Sequence, residues 1–377
     1  MSVFLLFLIV SYAVLLVWLL YGFYKCKEIP ITTNPHLPTI KFTIIIPFRN
    51  EADNLSSLLL SLSKIHYPPG HFEILFVNDT SEDASEELIQ TFFKIHPLID
   101  FQILENKRTS VSPKKDAITT AISTAKHEWI LTTDADCIMP GFWLQTLAIF
   151  IQKNNPKMVV GPVLLTSNKV HLLSAYQVLE SISLAGVTIG SFGMNHPIMC
   201  NGANLAYQKD AFYQVKGFDG NNHIASGDDI FLMEKMKRKY PDAIGYIKSR
   251  EAIVTTKTET TWAAAINQRV RWAAKSVGYK SGFSKFVGIL ILGINLALVI
   301  AFFSLFFIEN WGLIICLMLL KFLMDKLFIF EINKFFLREI PWTYFWIMAF
   351  LYPFLTLFIS WKALFGTYIW KGRTFKK

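Results

Sequence analysis

The sequence predicts an α/β domain with a mostly parallel sheet, placed between apolar segments at the two ends of the chain. Between residues 41 and 133, β-prone runs alternate with segments whose apolar residues recur at the helical period. Two of these runs end in acidic turns, as strands that face a ligand crevice do. Hydrophobic residues make up 53% of the 377 residues, and their excess at both ends is typical of a membrane-anchored protein.

The N-terminal segment is predicted to be a transmembrane anchor. Val3 to Tyr24 carries no charge and is long enough to cross a hydrocarbon core of about 30 Å. It lacks the basic start and the small-residue cleavage pattern of a signal peptide. Lys25 and Lys27 follow it, so the positive-inside rule places the next domain in the cytoplasm. The scattered cysteines agree, since they show no metal-ligand spacing and read as reduced thiols.

The elements of the α/β domain follow one another with short connections. Asn34 to Pro38 is interpreted as a linker, and Asn50 is the expected cap of the first helix. The predicted strands are Lys41–Pro47, Phe72–Val77, Asp100–Leu104, Trp129–Thr133 and a run from Met158 through Gly161; the predicted helices are about Leu55–Leu62, Ala84–Ile95, Lys114–Lys126, Val170–Ile189 and Ile230–Lys239. Right-handed crossovers then bring the ends of the early strands to one edge of the sheet.

The two acidic turns are the first candidate site. Asp79 follows the second strand, and Asp134 and Asp136 follow the fourth. Residues i and i+2 of an extended segment point the same way, so Asp134 and Asp136 can share one cation while Ala135 turns into the protein. Asp79 can accept hydrogen bonds from a base or a ribose. Helix capping is the alternative for all three carboxylates.

Two later segments add candidates. Gly202 and Ala203 keep side-chain volume small, so a bulky acceptor could approach the backbone there, although a plain turn between strands is the alternative. Asp228 and Asp229 immediately precede the predicted helix at residue 230. They can serve a ligand or simply complement the dipole of that helix.

A short basic and aromatic motif precedes the C-terminal apolar region. On a helix, Gln268 and Arg271 share a face, with Trp272 alongside. A neutral donor, a fixed cation and a flat ring suit a pyrophosphate or a sugar. The alternative is a helix that lies on the membrane surface, for which the relevant residues are Arg269, Lys275, Lys280, Trp262 and Trp272.

The C-terminal region contains three further apolar segments, Phe286–Ile308, Trp311–Phe330 and Ile340–Trp361. The charges within the second, at Lys321, Asp325 and Lys326, are expected to pair or to face other helices. Three crossings would put the basic tail outside, whereas its charge favours the inside. A last segment broken at Pro353 into a re-entrant pair would resolve this conflict.

The predicted organisation is an anchor over 1–24, a linker over 25–40, an α/β domain over 41–283, a membrane region over 284–370 and a basic tail over 371–377. Much of the net charge of +9 lies near the membrane segments. Attraction to anionic lipid headgroups explains this charge, so no nucleic-acid partner is expected.

Five signals stand in one order along the chain: Ile46-Pro47 with Asn50-Glu51, Val77-Asn78-Asp79, Asp134-Ala135-Asp136, Gly227-Asp228-Asp229 and Gln268-x-x-Arg271-Trp272. This ordered set resembles the inverting family-2 glycosyltransferases with a GT-A fold, which is Rossmann-like. It is most similar to their membrane-embedded branch, which includes ceramide glucosyltransferases and hyaluronan and cellulose synthases. The resemblance covers about residues 41–275 and implies a cytoplasmic GT-A domain with N- and C-terminal transmembrane helices.

The resemblance implies donor-binding roles for the matching residues. Asp79 would contact the base of the nucleotide. Asp136, together with Asp134, would bind the Mg²⁺ or Mn²⁺ ion that holds the donor diphosphate. Lys115 would contact the donor phosphates.

The remaining motifs imply the reaction itself. Asp229 matches the catalytic base, which takes a proton from the acceptor hydroxyl. Asp228 is an acceptor-site candidate, and it stands where the membrane relatives often have glutamate, which makes the acceptor harder to infer. Gln268, Arg271 and Trp272 match the element that closes over the diphosphate and the acceptor site.

The favoured interpretation is a hexosyltransferase-type enzyme of the cell envelope, in the bacterial inner membrane. It would move a sugar from a nucleotide-sugar donor, with a UDP-sugar favoured, to a lipid or lipid-linked acceptor at the cytoplasmic face. One alternative is a processive polysaccharide synthase that extends and exports a polymer, against which the single N-terminal span counts. The other is a non-catalytic membrane scaffold with a degenerate sugar-nucleotide fold, against which the retained acidic positions count.

Overall fold

The computed structural model describes residues 2–30, 40–307 and 311–375. The predicted linker at Asn34 to Pro38 and the last two residues of the basic tail lie outside these ranges. The chain divides into a sheet unit, Lys27–Leu164 with Met199–Lys257, and a helical unit, Met1–Cys26 with Leu165–Ile198 and Thr258–Lys377. The predicted domain boundaries stay a prediction, and this division differs from them because residues 165–198 and 258–283 fall in the helical unit.

The described residues form helices and strands that are numbered here in chain order. The helices are α1 (Ser2–Lys25), α2 (Ala52–Ser63), α3 (Ser85–Lys94), α4 (Pro113–Thr124), α5 (Trp143–Asn154), α6 (Leu172–Gly193), α7 (Lys209–Gln214), α8 (Ile230–Lys239), α9 (Trp262–Ala274), α10 (Gly282–Ser304), α11 (Gly312–Phe336) and α12 (Trp342–Phe365). The strands are β1 (Phe42–Phe48), β2 (Phe72–Asn78), β3 (Asp100–Glu105), β4 (Trp129–Thr132), β5 (Cys137–Ile138), β6 (Met158–Val160), β7 (Val163–Thr166), β8 (Leu205–Gln208), β9 (Ile244–Tyr246), β10 (Val254–Lys257), β11 (Tyr368–Trp370) and β12 (Arg373–Phe375).

The sheet unit is built on a seven-stranded sheet with the order β3-β2-β1-β4-β8-β6-β9. The pairs β1–β2, β1–β4, β2–β3 and β6–β9 are parallel, and only β8 runs antiparallel to its neighbours β4 and β6 in this sheet. A smaller sheet has the order β5-β10-β7. The predicted α/β fold with a mostly parallel sheet is therefore confirmed.

Burial of the sheet on both faces explains its sequence. Every residue of β2 is buried, and all but one of β1 are buried, which suits their near-continuous apolar runs. Leu55, Leu58 and Leu62 of α2 pack into the same core, as their helical spacing predicts. Each such side chain contributes about 1.5–3 kcal/mol when fully buried. The polar turns are left at the carboxyl edge of the parallel strands.

The structure corrects some local predictions. Asn50 does not cap α2, because Glu51 occupies the cap position. Asn50 instead has a φ of 51°, and its Oδ1 accepts a hydrogen bond from Glu82 N at 2.8 Å, which joins the loop after β1 to the loop after β2. Sequence reasoning also missed several short elements, namely α5, α7, β5, β7, β8, β9, β10 and the hairpin of β11 and β12.

The helical unit contains the candidate membrane helices. Within the described ranges, α1, α6, α10 and α12 are long and apolar enough to cross a membrane. Three of them match predicted segments, whereas α6 was predicted as a helix but not as a candidate span. The predicted segment at α11 forms a helix of 25 residues, but its charges keep it out of this group.

Contacts inside the helical unit use small residues and paired charges. A Cβ on Gly190 would meet the Leu19 carbonyl oxygen, so α6 and α1 approach backbone to backbone. Lys321 Nζ lies 2.6 Å from Asp325 Oδ2, and the Tyr12 hydroxyl donates to Asp325 Oδ1 at 2.7 Å, which confirms the predicted pairing. The re-entrant pair was wrong, since α12 continues through Pro353 as one helix.

Candidate active site

Asp79 follows β2 directly and is held by side chains that follow the next strand. Its Oδ1 accepts a hydrogen bond from Asn106 Nδ2 at 2.7 Å and lies 3.5 Å from Arg108 Nη1. Asn106 and Arg108 come just after β3, which is parallel to β2, so all three residues lie at the same sheet edge. The cap of α3 is Ala84, so helix capping does not explain Asp79.

The loop after β1 supports the same turn. Arg49 Nη1 donates to the carbonyl oxygens of Asp79 and Thr80 at 2.8 and 2.6 Å. Thr80 has a φ of 59°, a left-handed conformation that these bonds help to hold. Asp79 is thus fixed from both neighbouring loops, at 5% exposure.

Asp134 and Asp136 lie in the turn between β4 and β5. Ala135 is 2% exposed, which confirms that it turns into the protein, while Asp136 is exposed. The segment is a turn rather than the expected extended strand, yet one oxygen of each aspartate and the Cys137 Sγ all lie within 4.8 Å of one another. Thr256 Oγ1 donates to Asp136 Oδ2 at 3.1 Å. The helix α5 begins several residues later, so neither carboxylate caps it.

This set of groups fits a hard divalent cation. Burial raises the pKa of the Cys137 thiol well above its usual value, and the Asp136 and Asp134 carboxylates raise it further. The sulfur therefore stays a neutral thiol, which is a poor metal ligand. The two carboxylates are ligands of the type that Mg²⁺ and Mn²⁺ prefer.

Lys114 connects the two acidic motifs. It lies in the first turn of α4, and its side chain is 14% exposed. Its Nζ lies 2.5 Å from Asp134 Oδ1 and 3.3 Å from Asp228 Oδ2. Burial alone would lower the pKa of Lys114, but the Asp134 and Asp228 carboxylates outweigh burial and raise it, so the ammonium stays charged. Carboxylates far apart in the sequence thus share one cation.

Asp229 completes this group of charges. Asp229 is the N-cap residue of α8, and its Oδ1 accepts a hydrogen bond from Ile230 N at 2.8 Å. Its Oδ2 accepts a hydrogen bond from Gly202 N at 3.3 Å. A Cβ on Gly202 would lie 2.7 Å from Asp228 Oδ2 and 3.2 Å from Lys114 Nζ, so only glycine leaves these groups in place. We call Lys114, Asp134, Asp228, Asp229 and Gly202 the Lys114 cluster.

The two acidic motifs meet at the carboxyl edge of the parallel sheet. This arrangement agrees with the protein family that the sequence matches. The model described as Glycosyl transferase family 21 matches residues 10–377. The chain belongs to glycosyl transferase family 21. The predictions of an enzyme and of a glycosyltransferase related to family 2 are thereby confirmed.

Curated relatives and a solved structure agree with this assignment. Glycosyltransferase AglE from Haloferax volcanii is 24% identical over 195 residues, 50% of this chain and 58% of AglE. The poly-beta-1,6-N-acetyl-D-glucosamine synthase from Staphylococcus epidermidis is 25% identical over 253 residues, 64% of this chain and 56% of the synthase. The chain thus spans less than two thirds of the length of these relatives.

The solved structure supports the fold. Mannosyltransferase PcManGT from Pyrobaculum calidifontis, in complex with GDP-Man and Mn²⁺, matches with a TM-score of 0.59 at 14% identity, over 97% of this chain and 99% of that chain. At this identity the similarity concerns the fold alone. The predicted GT-A fold of this family 21 glycosyltransferase is confirmed.

Two of the predicted site residues, Lys115 and Ala203, are buried outside the Lys114 cluster. Lys115 is buried, and its Nζ donates to the carbonyl oxygens of Asn221 and Ile224 at 2.7 and 2.8 Å. Successive helical residues point about 100° apart, so Lys114 rather than Lys115 reaches the carboxylates. Ala203 packs in the core of the sheet unit, so the geometry favours Gly202 as the acceptor-site residue.

The predicted motif helix is α9, in the helical unit. Gln268 Nε2 donates to Glu259 Oε1 at 3.0 Å, and Gln268 Oε1 accepts from Arg269 Nη1 at 2.7 Å. The predicted meeting of Gln268, Arg271 and Trp272 with the carboxylates of the sheet unit stays a prediction. Arg269 is 4% exposed, so it is not one of the membrane-surface cations proposed for this helix.

Sequence reasoning missed several residues of the site. Asn106 and Arg108 were overlooked, although polar residues directly after β3 carry the same positional signal as Asp79 after β2. Lys114 was also overlooked, although it is adjacent in the sequence to Lys115, which was predicted as a site residue. Thr132 was also missed, and its Oγ1 donates to the Gly202 carbonyl oxygen at 2.7 Å.

Proposed function

We propose that this glycosyltransferase moves a sugar, with inversion, from a nucleotide-sugar donor to a lipid or lipid-linked acceptor at the membrane surface. The observation that carries the proposal is the position of Lys114 Nζ, 2.5 Å from Asp134 and 3.3 Å from Asp228. It joins the motif expected to hold the donor diphosphate to the motif expected to activate the acceptor. A UDP-sugar is the favoured donor.

The donor would lie along the carboxyl edge of the sheet. Asp79, which lies at this edge, would accept hydrogen bonds from a nucleotide base. Asp136 and Asp134 would hold a Mg²⁺ or Mn²⁺ ion, which when bound neutralises charge on the diphosphate. Lys114 is a second cation, beside Asp134, and Arg271 is the further cation that the family resemblance implies for the diphosphate.

Asp229 would act as the base. The acceptor oxygen forms a bond to the anomeric carbon, while the bond from that carbon to the diphosphate oxygen breaks and the nucleoside diphosphate leaves. The acceptor proton goes to the Asp229 carboxylate. One displacement inverts the anomeric centre, so no covalent nucleophile is required. Gly202, next to this carboxylate, carries no side chain that would displace Asp228 or Lys114.

The membrane helices support a lipid-linked acceptor. An acceptor headgroup held at the bilayer surface is presented to the active site at high effective concentration. Asn267 Nδ2 donates to the Ile369 carbonyl oxygen at 2.6 Å, and Ile369 N donates to Asn267 Oδ1 at 3.1 Å. This contact supports the proposal that residues 267 and 369 lie on one side of the membrane, with an even number of crossings between them. We place this side, with the catalytic residues, in the cytoplasm of a bacterial inner membrane.

A processive polysaccharide synthase is the second candidate. The relative named as a poly-beta-1,6-N-acetyl-D-glucosamine synthase favours it. The length of the product separates the two candidates, since a single transfer adds one sugar and a synthase adds many. A non-catalytic scaffold is not supported, because the chain belongs to a glycosyltransferase family and keeps the acidic motifs.

A donor screen tests the proposal. The full chain in lipid nanodiscs is incubated with UDP-sugars and GDP-sugars and with Mn²⁺ or Mg²⁺, released nucleoside diphosphate is detected, and the glycosylated lipid is identified by mass. Asp136→Ala should weaken metal-dependent donor binding in calorimetry. Asp100→Ala is the matched control, since Asp100 is an exposed carboxylate at the start of β3 that pairs with Lys126. Unchanged donor affinity in Asp136→Ala would remove the metal assignment.

A further inference from the structure

Arg269 is the centre of a buried polar network in the helical unit. Its Nε donates to Glu180 Oε2 at 2.8 Å, and its Nη2 lies 2.7 Å from the same oxygen. The side chains of Arg269 and Glu180 are 4% and 10% exposed. The guanidinium Cζ also lies over the rings of Tyr176 and Trp272, 5.3 and 5.0 Å from their centroids.

The network extends to both ends of the Gln-Arg-Trp motif. Arg269 Nη1 donates to Gln268 Oε1 at 2.7 Å, and Gln268 Nε2 donates to Glu259 Oε1 at 3.0 Å. Gln177, fully buried in α6, donates through Nε2 to the Glu259 carbonyl oxygen at 2.9 Å and accepts from Glu259 N at 2.8 Å. The amide of Gln268 and the ring of Trp272 are therefore connected to α6 through Arg269, which contacts both of them and pairs with Glu180.

Glu180 is an unusual residue for its position. It is the only charged side chain of α6, a helix that is otherwise apolar enough to cross a membrane. A carboxylate in such a helix is costly unless it is paired, and Arg269 and the Tyr176 hydroxyl, which donates to Glu180 Oε1 at 3.1 Å, supply the partners. The pair thus ties α6 to α9 with one defined geometry.

We propose that Arg269 is a positioning residue, which with Glu180 fixes Gln268 and Trp272 in the orientation that donor binding requires. This inference rests on the proposed function and on the donor-binding role that the family resemblance implies for Gln268 and Trp272. Arg269 itself faces α6, so it acts through its two neighbours. Arginine is required because its planar fork bonds Glu180 and Gln268 together and lies over two rings, which a lysine ammonium does not do.

The test uses the full chain in lipid nanodiscs, with the UDP- or GDP-sugar that the wild-type protein turns over fastest. Arg269→Lys keeps the charge and loses the fork, Glu180→Gln keeps the shape and loses the charge, and the double variant Glu180→Arg with Arg269→Glu exchanges the two charges. Arg250→Lys is the matched control, since Arg250 lies 3.8 Å from Glu28 in an exposed pair. Donor KM, kcat and the melting temperature are measured for each variant.

We expect Arg269→Lys and Glu180→Gln to raise the donor KM about 10- to 100-fold, because a displacement of about 1 Å can cost that much in a positioned site. The exchanged double variant should recover part of this loss, and Arg250→Lys should match the wild-type protein. A variant with a lower melting temperature but wild-type KM and kcat in its folded fraction would overturn the proposal and leave Arg269 a structural residue. If the wild-type protein releases no nucleoside diphosphate from any donor, the proposed function itself fails.

Discussion

Replacing Asp229 with asparagine isolates the proposed base. The Asn oxygen can still accept from Ile230 N, which now lies 2.8 Å from Oδ1, so the cap of α8 is retained. The amide nitrogen would face the Gly202 N–H, which now donates to Oδ2 at 3.3 Å. That N–H is buried, so losing its acceptor should cost about 1–3 kcal/mol of folding stability. The loss of a general base should lower kcat about 10²- to 10⁴-fold, or about 3–5 kcal/mol of barrier.

The assay compares turnover with donor binding. Nucleoside diphosphate release is measured at saturating donor, and calorimetry with the same donor should give an affinity within about threefold of wild type, since the base contributes to the transition state rather than to donor binding. Asp228→Asn is the matched control, with a carboxylate of similar burial one residue away. It should keep more than about a tenth of the wild-type turnover, because it lacks the base role. Turnover of Asp229→Asn within tenfold of wild type, or an equal loss in Asp228→Asn, would refute the assignment.

Three further variants probe the same framework. Lys114→Met should destabilise the protein most at neutral pH and less as pH falls towards 5. The raised pKa of Lys114 keeps its ion pairs intact throughout this pH range, whereas the variant leaves carboxylates unpaired and relieves them by protonation. A melting-temperature difference that is constant with pH would contradict this. Gly202→Ala should displace both Asp228 and Lys114, whose Oδ2 and Nζ would lie 2.7 and 3.2 Å from the new Cβ, and should lower turnover at least about tenfold; wild-type kinetics would contradict this. Asn267→Ala should release the hairpin of β11 and β12 from α9 and make this hairpin more sensitive to protease. An unchanged digestion pattern would show that the hydrogen bonds between Asn267 and Ile369 do not attach the hairpin to α9.

Local pattern was enough to predict much of the fold. The predicted and observed bounds of α8 coincide at Ile230 and Lys239, because its apolar spacing is helical and Asp229 caps it. The early strands are equally clear, since their apolar runs are buried in a parallel sheet. The order of the strands then brings Asp79 and Asp134 to one edge without any knowledge of side-chain contacts.

The missed features depend on rotation or on distant partners. Two adjacent lysines, Lys114 and Lys115, carry the same sequence signal, and only the rotation of α4 decides which one reaches Asp134. From the sequence alone, Arg269 is interpreted as a surface cation, because its partner on α6 is distant in the chain. The single charged residue of that apolar helix, Glu180, could have indicated a buried partner for an arginine. The C-terminal hairpin was overlooked, although Lys371 and Gly372 supply the two left-handed residues of its turn, with φ of 48° and 74°.

The most direct test of the donor site is a cryo-EM map of the full chain in lipid nanodiscs with Mn²⁺ and the preferred nucleotide sugar. The proposed function predicts ion density between Asp134 and Asp136 and density for the donor diphosphate next to this ion, within reach of Lys114. It also predicts that the nucleobase of the donor lies next to Asp79. A nucleotide bound elsewhere, with no contact to Asp79, Lys114, Asp134 or Asp136, would contradict the proposed donor site at the carboxyl edge of the sheet.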